Sequence, residues 1–256
     1  MLKQELIKYL DKYLKNSEFQ DDSKNWLQVD TSRTEIKKIG YAVDANDYIF
    51  DIAARENVDL IIAHHGLFFW HEQVLVWNFY NKVKNLIKSD IWLYASHLPL
   101  DAHPEIGNNI GIAKSMIKLF NLKDYEIEEF WEYNWTIIWF WLSFKEAIPV
   151  WDFVTKTCEL LSFEDNFYNF WDKKTISSVA ILSWWWWSDV TEAKIKNYDI
   201  YITWEAAHYE VCIAKELRQS VLFWGHYETE TIWVKLLAEN LKEKFSLEIV
   251  FLDEKY

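Results

Sequence analysis

Two patterns of apolar and polar positions alternate along most of the chain: short apolar runs and longer amphipathic stretches. Residues 1–15 place apolar side chains at helical spacing with charged residues between them, which predicts an amphipathic first helix. Compact apolar runs predict strands further along, and stretches with a helical period predict further helices. The predicted strands are 39–43, 60–63, 91–96, 136–143, 176–182, 200–203, 221–223 and 247–252. The further predicted helices are 47–56, 76–88, 108–119, 150–161, 191–197, 206–217 and 230–244.

The order of these elements predicts an α/β fold. Strands and helices alternate at both ends of the chain, which is typical of parallel-rich sheets with helices on their faces. The segment 125–170 has a less regular pattern, in which one strand and one helix are the clearest elements. We therefore predict two α/β subdomains, residues 1–125 and residues 126–256.

Charge and composition narrow the class of protein. The formal net charge of −13 argues against nonspecific nucleic-acid binding, which relies on Lys and Arg to neutralise phosphates. No apolar run approaches the length of a membrane span, and residues 1–15 lack the uninterrupted apolar core of a signal peptide. Two cysteines suggest no disulfide framework, so we expect a cytoplasmic protein.

Three short stretches combine histidine with carboxylate or a second histidine, and each follows an apolar run. The stretches are His64-His65-Gly66, His97 with Asp101, and His226 with Glu230. Ligands gather outside the carboxyl ends of strands in open α/β sheets, so three such ends can converge on one crevice. We predict a metal site in the crevice between the two subdomains.

Imidazole and carboxylate together suit zinc, iron and manganese, and a carboxylate can bridge two ions. The residues favour one metal for each of His64 and His65, with Asp101 and Glu230 as bridges. Adjacent residues of a strand point to opposite faces, so we expect the strand to end before this pair. Gly66 then lets the backbone turn. For a single histidine such as 71, 103 or 208, a hydrogen-bonded residue in a polar pocket is the better interpretation.

The order and context of these residues resemble a known family, the dinuclear metal centre hexameric proteins. This family is often labelled GTP cyclohydrolase I type 2 homologues, or NIF-three-like proteins. The resemblance runs over nearly the whole chain. It rests on Asp59-Leu-Ile-Ile-Ala-His-His-Gly-Leu67, Tyr94-Ala-Ser-His-Leu-Pro-Leu-Asp-Ala102, Gly107-Asn-Asn109 and Gly225-His-Tyr-Glu-Thr-Glu230.

The resemblance implies a ring-shaped homohexamer that holds two divalent metal ions, and it implies a nucleotide as a possible substrate. The metal ligands implied by it are His64, His65, Asp101, His226 and Glu230. By the same resemblance, His97 lines the site and carries a proton, a role that suits an imidazole.

One segment departs from the family pattern. The family tends to have Thr-Gly-Glu followed by paired histidines, whereas this chain has Trp204 before Glu205 and Tyr209 after His208. The departure leaves open what Glu205 and His208 do.

Tryptophan stands where the backbone calls for glycine. The chain has 17 Trp and only 5 Gly in 256 residues, about 2% glycine against a usual figure of about 7%. Residues 184–187 are four consecutive tryptophans between a predicted strand and a predicted helix, where a glycine-rich loop is typical of anion binding. We expect that the gene uses UGA for glycine and that UGA has been read as tryptophan. A true aromatic surface for membrane or sugar contact is the alternative.

Three hypotheses for function remain open. The first is a metal-dependent hydrolase of a nucleotide-like substrate, with GTP cyclohydrolase chemistry and a phosphate-holding loop at 184–187. The second is a metal-stabilised ring with a binding or regulatory role and no efficient turnover. The third is a metallophosphatase or phosphodiesterase. All three hypotheses share the metal site. They remain open because fold and metal ligands do not determine which substrate is used.

Overall fold

The structure, a computed structural model, describes residues 1–69, 73–133, 136–161, 166–182, 189–205 and 208–254. Its helices are α1 (Lys3–Leu14), α2 (Asp47–Arg55), α3 (Trp77–Lys88), α4 (Leu98–Asp101), α5 (Asn108–Phe120), α6 (Val150–Leu161), α7 (Asp189–Ile195), α8 (His208–Leu217) and α9 (His226–Phe245). Its strands are β1 (Leu27–Val29), β2 (Lys38–Asp44), β3 (Leu60–His65), β4 (Trp92–Ala95), β5 (Tyr125–Tyr133), β6 (Thr136–Pro149), β7 (Phe167–Tyr168), β8 (Thr175–Ile181), β9 (Ile200–Thr203), β10 (Ser220–Phe223) and β11 (Glu248–Phe251). No helix among these residues is both long and apolar enough to cross a membrane.

The first compact unit combines the two ends of the chain, Met1–Ile106 and Trp233–Tyr256. Its sheet has the strand order β1-β4-β3-β2-β11, in which only β1 is antiparallel to its neighbour. The last strand of the chain therefore returns to pair with β2, whereas the predicted division at residue 125 followed chain order. The central strands are buried, which explains why they read as continuous apolar runs.

The second compact unit is Gly107–Ile232, and its sheet has the strand order β5-β6-β8-β9-β10-β7. Strands β8, β9 and β10 are parallel, while β5, β6 and β7 add antiparallel pairs on either side. The prediction of an α/β fold with two sheets is thus confirmed, and the second sheet is mixed. The sequence pattern missed β5 because most of the side chains at its start are exposed and polar.

One aspartate fixes the start of the parallel strands in the first unit. Asp59, directly before β3, is buried, and its Oδ2 accepts hydrogen bonds from the backbone N–H groups of Lys37 (2.7 Å) and Lys38 (2.9 Å). Its Oδ1 pairs with the guanidinium of Arg33. Asn57, two residues earlier, adopts a left-handed conformation with φ 54°. The carboxylate thereby ties the start of β2 to the start of β3.

The second unit repeats this aspartate clamp. Asp199, directly before β9, accepts hydrogen bonds at Oδ2 from the backbone N–H groups of Ser177 (2.7 Å) and Ser178 (3.1 Å), and it pairs with Lys173. Asn197, again two residues earlier, has φ 65°. The three partners lie 22, 21 and 26 residues before the aspartate in both units. The β-α-β segments β2-α2-β3 and β8-α7-β9 are therefore a structural repeat.

Replacing Asp199 by alanine should lower the free energy of unfolding by about 2–4 kcal/mol, because two backbone N–H groups and a lysine lose the carboxylate that is their acceptor. Urea unfolding measures the change. Glu216→Ala removes the same charge from an exposed position on α8 and should change stability by less than about 0.5 kcal/mol. Equal stability of the two variants would contradict the role assigned to the clamp.

Candidate metal centre

Three histidines of the first unit meet at the carboxyl ends of β3 and β4. His64 and His65 are the last two residues of β3, and His97 lies just beyond β4. One ring nitrogen of each lies within 4.8 Å of the other two, and their ring centroids are 4.6–5.6 Å apart. We expected the strand to end before the pair, but β3 runs through His65. Because these are terminal residues of the strand, both rings still reach the same place.

The two strand-end imidazoles are each held through Nδ1 by an oxygen atom. His64 Nδ1 lies 3.1 Å from the carbonyl oxygen of Ser96, and His65 Nδ1 lies 2.9 Å from Asp44 Oδ1. Asp44 is also the register partner of His65 in β2, so the sheet itself supplies this contact. A carbonyl or carboxylate oxygen can only accept, so Nδ1 carries a proton, and in the neutral ring Nε2 then keeps the lone pair that a metal needs.

His97 is held in the same way by a buried carboxylate. Its Nδ1 lies 3.1 Å from both oxygens of Asp21. Burial raises the pKa of the Asp21 carboxyl, but the hydrogen bond and charge of His97, with hydrogen bonds from Asn25 and Ser23, outweigh burial and lower the pKa to about 2. Asp21 is therefore ionised near neutral pH and can only accept, so His97 donates from Nδ1.

Asp101 joins these histidines in the first unit. It is the last residue of the short helix α4, which begins directly after His97. Its side chain is buried, and its Oδ1 lies 3.5 Å from Nε2 of His64. The structure thus brings together four of the residues that the sequence singled out: His64, His65, His97 and Asp101.

Close packing explains the glycine that follows the histidine pair. A Cβ atom at Gly66 would lie 2.3 Å from Nε2 of Gln28 and 2.6 Å from Cβ of Ala95. Gln28 is fixed there because its Oε1 accepts a hydrogen bond from the N–H of Leu67 (2.7 Å). Glycine is required by this close approach, whereas the sequence had suggested a turn.

Sequence reasoning missed the residues that hold the imidazoles. Asp44 had one usable signal, its position at the end of a predicted strand beside the strand of His65. Asp21 had none, because the stretch between α1 and β2 has no clear period.

The second unit contributes a separate histidine–glutamate pair. His226 and Glu230 lie one turn apart at the start of α9, with His226 Nε2 2.9 Å from Glu230 Oε1. The Glu230 side chain is buried, and that of His226 is 33% exposed. The indole of Trp204 stacks on the His226 ring at 4.0 Å between centroids. Gly225, directly before the helix, has φ 77°, a conformation that favours glycine.

The residues of the segment that departs from the family pattern lie in the same unit. Glu205 is exposed, and His208 Nε2 lies 3.9 Å from Sγ of Cys212 on the next turn of α8. The predicted anion-binding loop, residues 184–187, lies outside the described residues.

The donors in the first unit fit a divalent metal ion. Three imidazoles with Nδ1 bound to oxygen acceptors, beside a buried carboxylate, are the ligand types that zinc, iron and manganese accept. Outer oxygen acceptors of this kind usually accompany histidine ligands, because they fix the tautomer and the ring orientation. The His–Glu pair of the second unit offers the same ligand types.

Comparison with known proteins places the chain in a family. The Duf34/NIF3 (NGG1p interacting factor 3) family matches residues 1–256. Proteins named GTP cyclohydrolase 1 type 2 homolog from Pyrococcus abyssi and Pyrococcus horikoshii are 35% and 37% identical over 254 residues, which cover 99% of this chain and 98% of each relative. The crystal structure of TTHA1606 from Thermus thermophilus is 32% identical with a TM-score of 0.83, covering 100% of this chain and 99% of that one. The chain therefore belongs to the Duf34/NIF3 family.

Proposed function

We propose that this protein is a dinuclear-metal-dependent hydrolase of a nucleotide-like substrate. The observation that carries the proposal is the group of three imidazoles whose Nδ1 atoms are all held by oxygen acceptors. When bound, divalent ions at such a site supply a Lewis acid that polarises a carbonyl or phosphoryl oxygen. The ligands that we assign to two ions are His64, His65, Asp101, His226 and Glu230.

His226 and Glu230 enter the proposal on their chemistry and on the resemblance of their segment to the family. An imidazole and a buried carboxylate 2.9 Å apart are both ligand types that a divalent cation accepts. His97 takes a different role, that of proton carrier. Asp21 occupies its Nδ1, so Nε2 is the atom that takes up and releases a proton.

Two further parts of the proposal concern the assembly and the substrate. The resemblance to hexameric proteins supports a homohexamer, which the mass of the purified protein in solution tests. The relatives named GTP cyclohydrolase 1 type 2 homolog support a purine nucleotide as the first substrate to test.

Glu230→Gln should lower metal-dependent turnover at least about 100-fold, since the amide cannot supply the negative charge that a carboxylate ligand would contribute. The assay follows nucleotide hydrolysis with manganese, zinc or iron. Glu228→Gln makes the same change two residues away on α9 and should retain activity within about twofold.

The outcomes separate the hypotheses. Release of C8 of the purine supports cyclohydrolase chemistry, and release of inorganic phosphate indicates a phosphatase or phosphodiesterase instead. Tight metal binding without turnover of any nucleotide would contradict the hydrolase and favour a metal-stabilised assembly.

We also propose that the cellular protein carries glycine at the tryptophan positions. Trp77 has φ 47° and is 87% exposed, a backbone conformation that glycine adopts freely and tryptophan rarely. Trp92, Trp204 and Trp224 are buried, and their indole N–H groups have no hydrogen-bond partner among the described residues. Each such group costs about 1–3 kcal/mol. Glycine at all 17 positions would give 22 glycines, about 9% of the chain.

The codons and the protein's mass test this proposal. UGA codons at 184–187, and a peptide from the native host with the mass of four glycines there, are the expected results. UGG codons would contradict it.

Trp77→Gly should raise the free energy of unfolding by about 1 kcal/mol, because it relieves the positive φ. Urea unfolding measures the change. Trp151→Gly is the matched control: Trp151 is also exposed but lies in α6, where glycine should lower stability by about 1 kcal/mol. A loss of stability in both variants would show that Trp77 is not strained.

A further inference from the structure

Asp21 is a buried carboxylate that makes several contacts beside the three histidines. Its side chain is only 3% exposed. Oδ1 accepts a hydrogen bond from the N–H of Ser23 (3.0 Å), and Oδ2 accepts from Asn25 Nδ2 (2.8 Å) and from the N–H of Leu98 (3.0 Å). Both oxygens lie 3.1 Å from Nδ1 of His97. One buried group thus joins a loop, a helix start and an imidazole.

The contact with His97 fixes more than the position of the ring. The backbone N–H of His97 donates to Asn25 Oδ1 (2.8 Å), so the main chain is held by the same loop. Because an ionised carboxylate cannot donate, His97 must place its proton on Nδ1. In the neutral ring the lone pair is then on Nε2, and one ring nitrogen of His97 lies within 4.8 Å of ring nitrogens of His64 and His65.

The contact with Leu98 reaches a second residue of the site. The Leu98 N–H is the first of α4, and Asp101 is the last residue of that helix. The N–H of Asp101 also donates to the carbonyl oxygen of His97 (3.0 Å). A shift of Asp21 therefore moves both the imidazole and the helix that carries Asp101.

We propose that Asp21 is the positioning residue of this site, holding His97 in the Nδ1–H form and anchoring α4. The role in turnover rests on the proposed hydrolase function, whereas the role in tautomer choice does not. The related contact between Asp44 and His65 is more open to solvent, since the Asp44 side chain is 41% exposed against 3% for Asp21. Water screens the interaction of the more exposed pair, so the Asp21–His97 interaction is the stronger of the two.

A purely structural role is the alternative, because Asp21 also orders the loop through Ser23 and Asn25. Nitrogen NMR of the metal-free, full-length protein with 15N-labelled histidine separates the two. Spectra at about pH 9, above the ordinary imidazole pKa, report which ring nitrogen holds the proton. His97→Gln identifies the His97 signals.

The expected result is an Nδ1–H imidazole at His97 in the unaltered protein. In Asp21→Asn the amide NH2 can donate to Nδ1, so the Nε2–H form should become the main one, as in a serine-protease triad whose aspartate becomes asparagine. Asp22→Asn is the matched control: it makes the same change at the exposed neighbouring residue and should leave the tautomer unaltered. Far-ultraviolet circular dichroism shows whether each variant is folded.

Three results would overturn the proposal: an Nε2–H imidazole in the unaltered protein, an unchanged tautomer in folded Asp21→Asn, or an equal change in Asp22→Asn. The first of these results comes from the unaltered protein, so it does not depend on whether a variant folds. Asp21→Glu provides a second folded test, because it keeps the charge and should retain the Nδ1–H form. If turnover is found, Asp21→Asn should lower kcat about 10–100-fold with KM nearly unchanged. An absence of turnover would contradict the hydrolase alone, since the tautomer is measured without metal.

Discussion

The site depends on one constraint: a neutral imidazole has its lone pair on Nε2 only when its proton is on Nδ1, where an oxygen acceptor can hold it. His64, His65 and His97 all meet this constraint, and each uses a different oxygen, a backbone carbonyl or a carboxylate. Two of the acceptors follow from the sheet, because neighbouring parallel strands end beside each other. The third comes from the loop of Asp21. Without these acceptors the same histidines would lack the groups that fix their tautomer.

The opposite ends of the strands are fixed by a second device, the aspartate clamp. Asp59 and Asp199 occupy equivalent positions in the two sheets and bind backbone N–H groups at identical sequence spacing. In the first unit the clamp sits at one end of β3 and the histidines sit at the other. The residue that stabilises β3 and the residues that could bind a metal therefore lie at opposite ends of one short strand. The clamp holds the strand starts in register, which leaves the carboxyl ends free to carry polar side chains.

Family membership defines the fold and the class of site more firmly than the reaction, because one scaffold can support several chemistries. The tryptophans of this chain also affect how exposed one of the histidines is. Trp204 covers one face of His226. Glycine at that position would remove the ring and uncover the imidazole, so the residue made in the cell determines how accessible this histidine is.

The sequence by itself determined the order of the main strands and helices, because apolar periodicity is local, and it identified the histidines at the strand ends. It failed for β1, β5, β7 and α4, which are short or largely polar. Only the tertiary structure decided that β11 returns to the first sheet and that Asp21 holds His97. The physical reason is distance along the chain: Asp21 and His97 are 76 residues apart, and local patterns carry no information on which distant groups will meet in the fold.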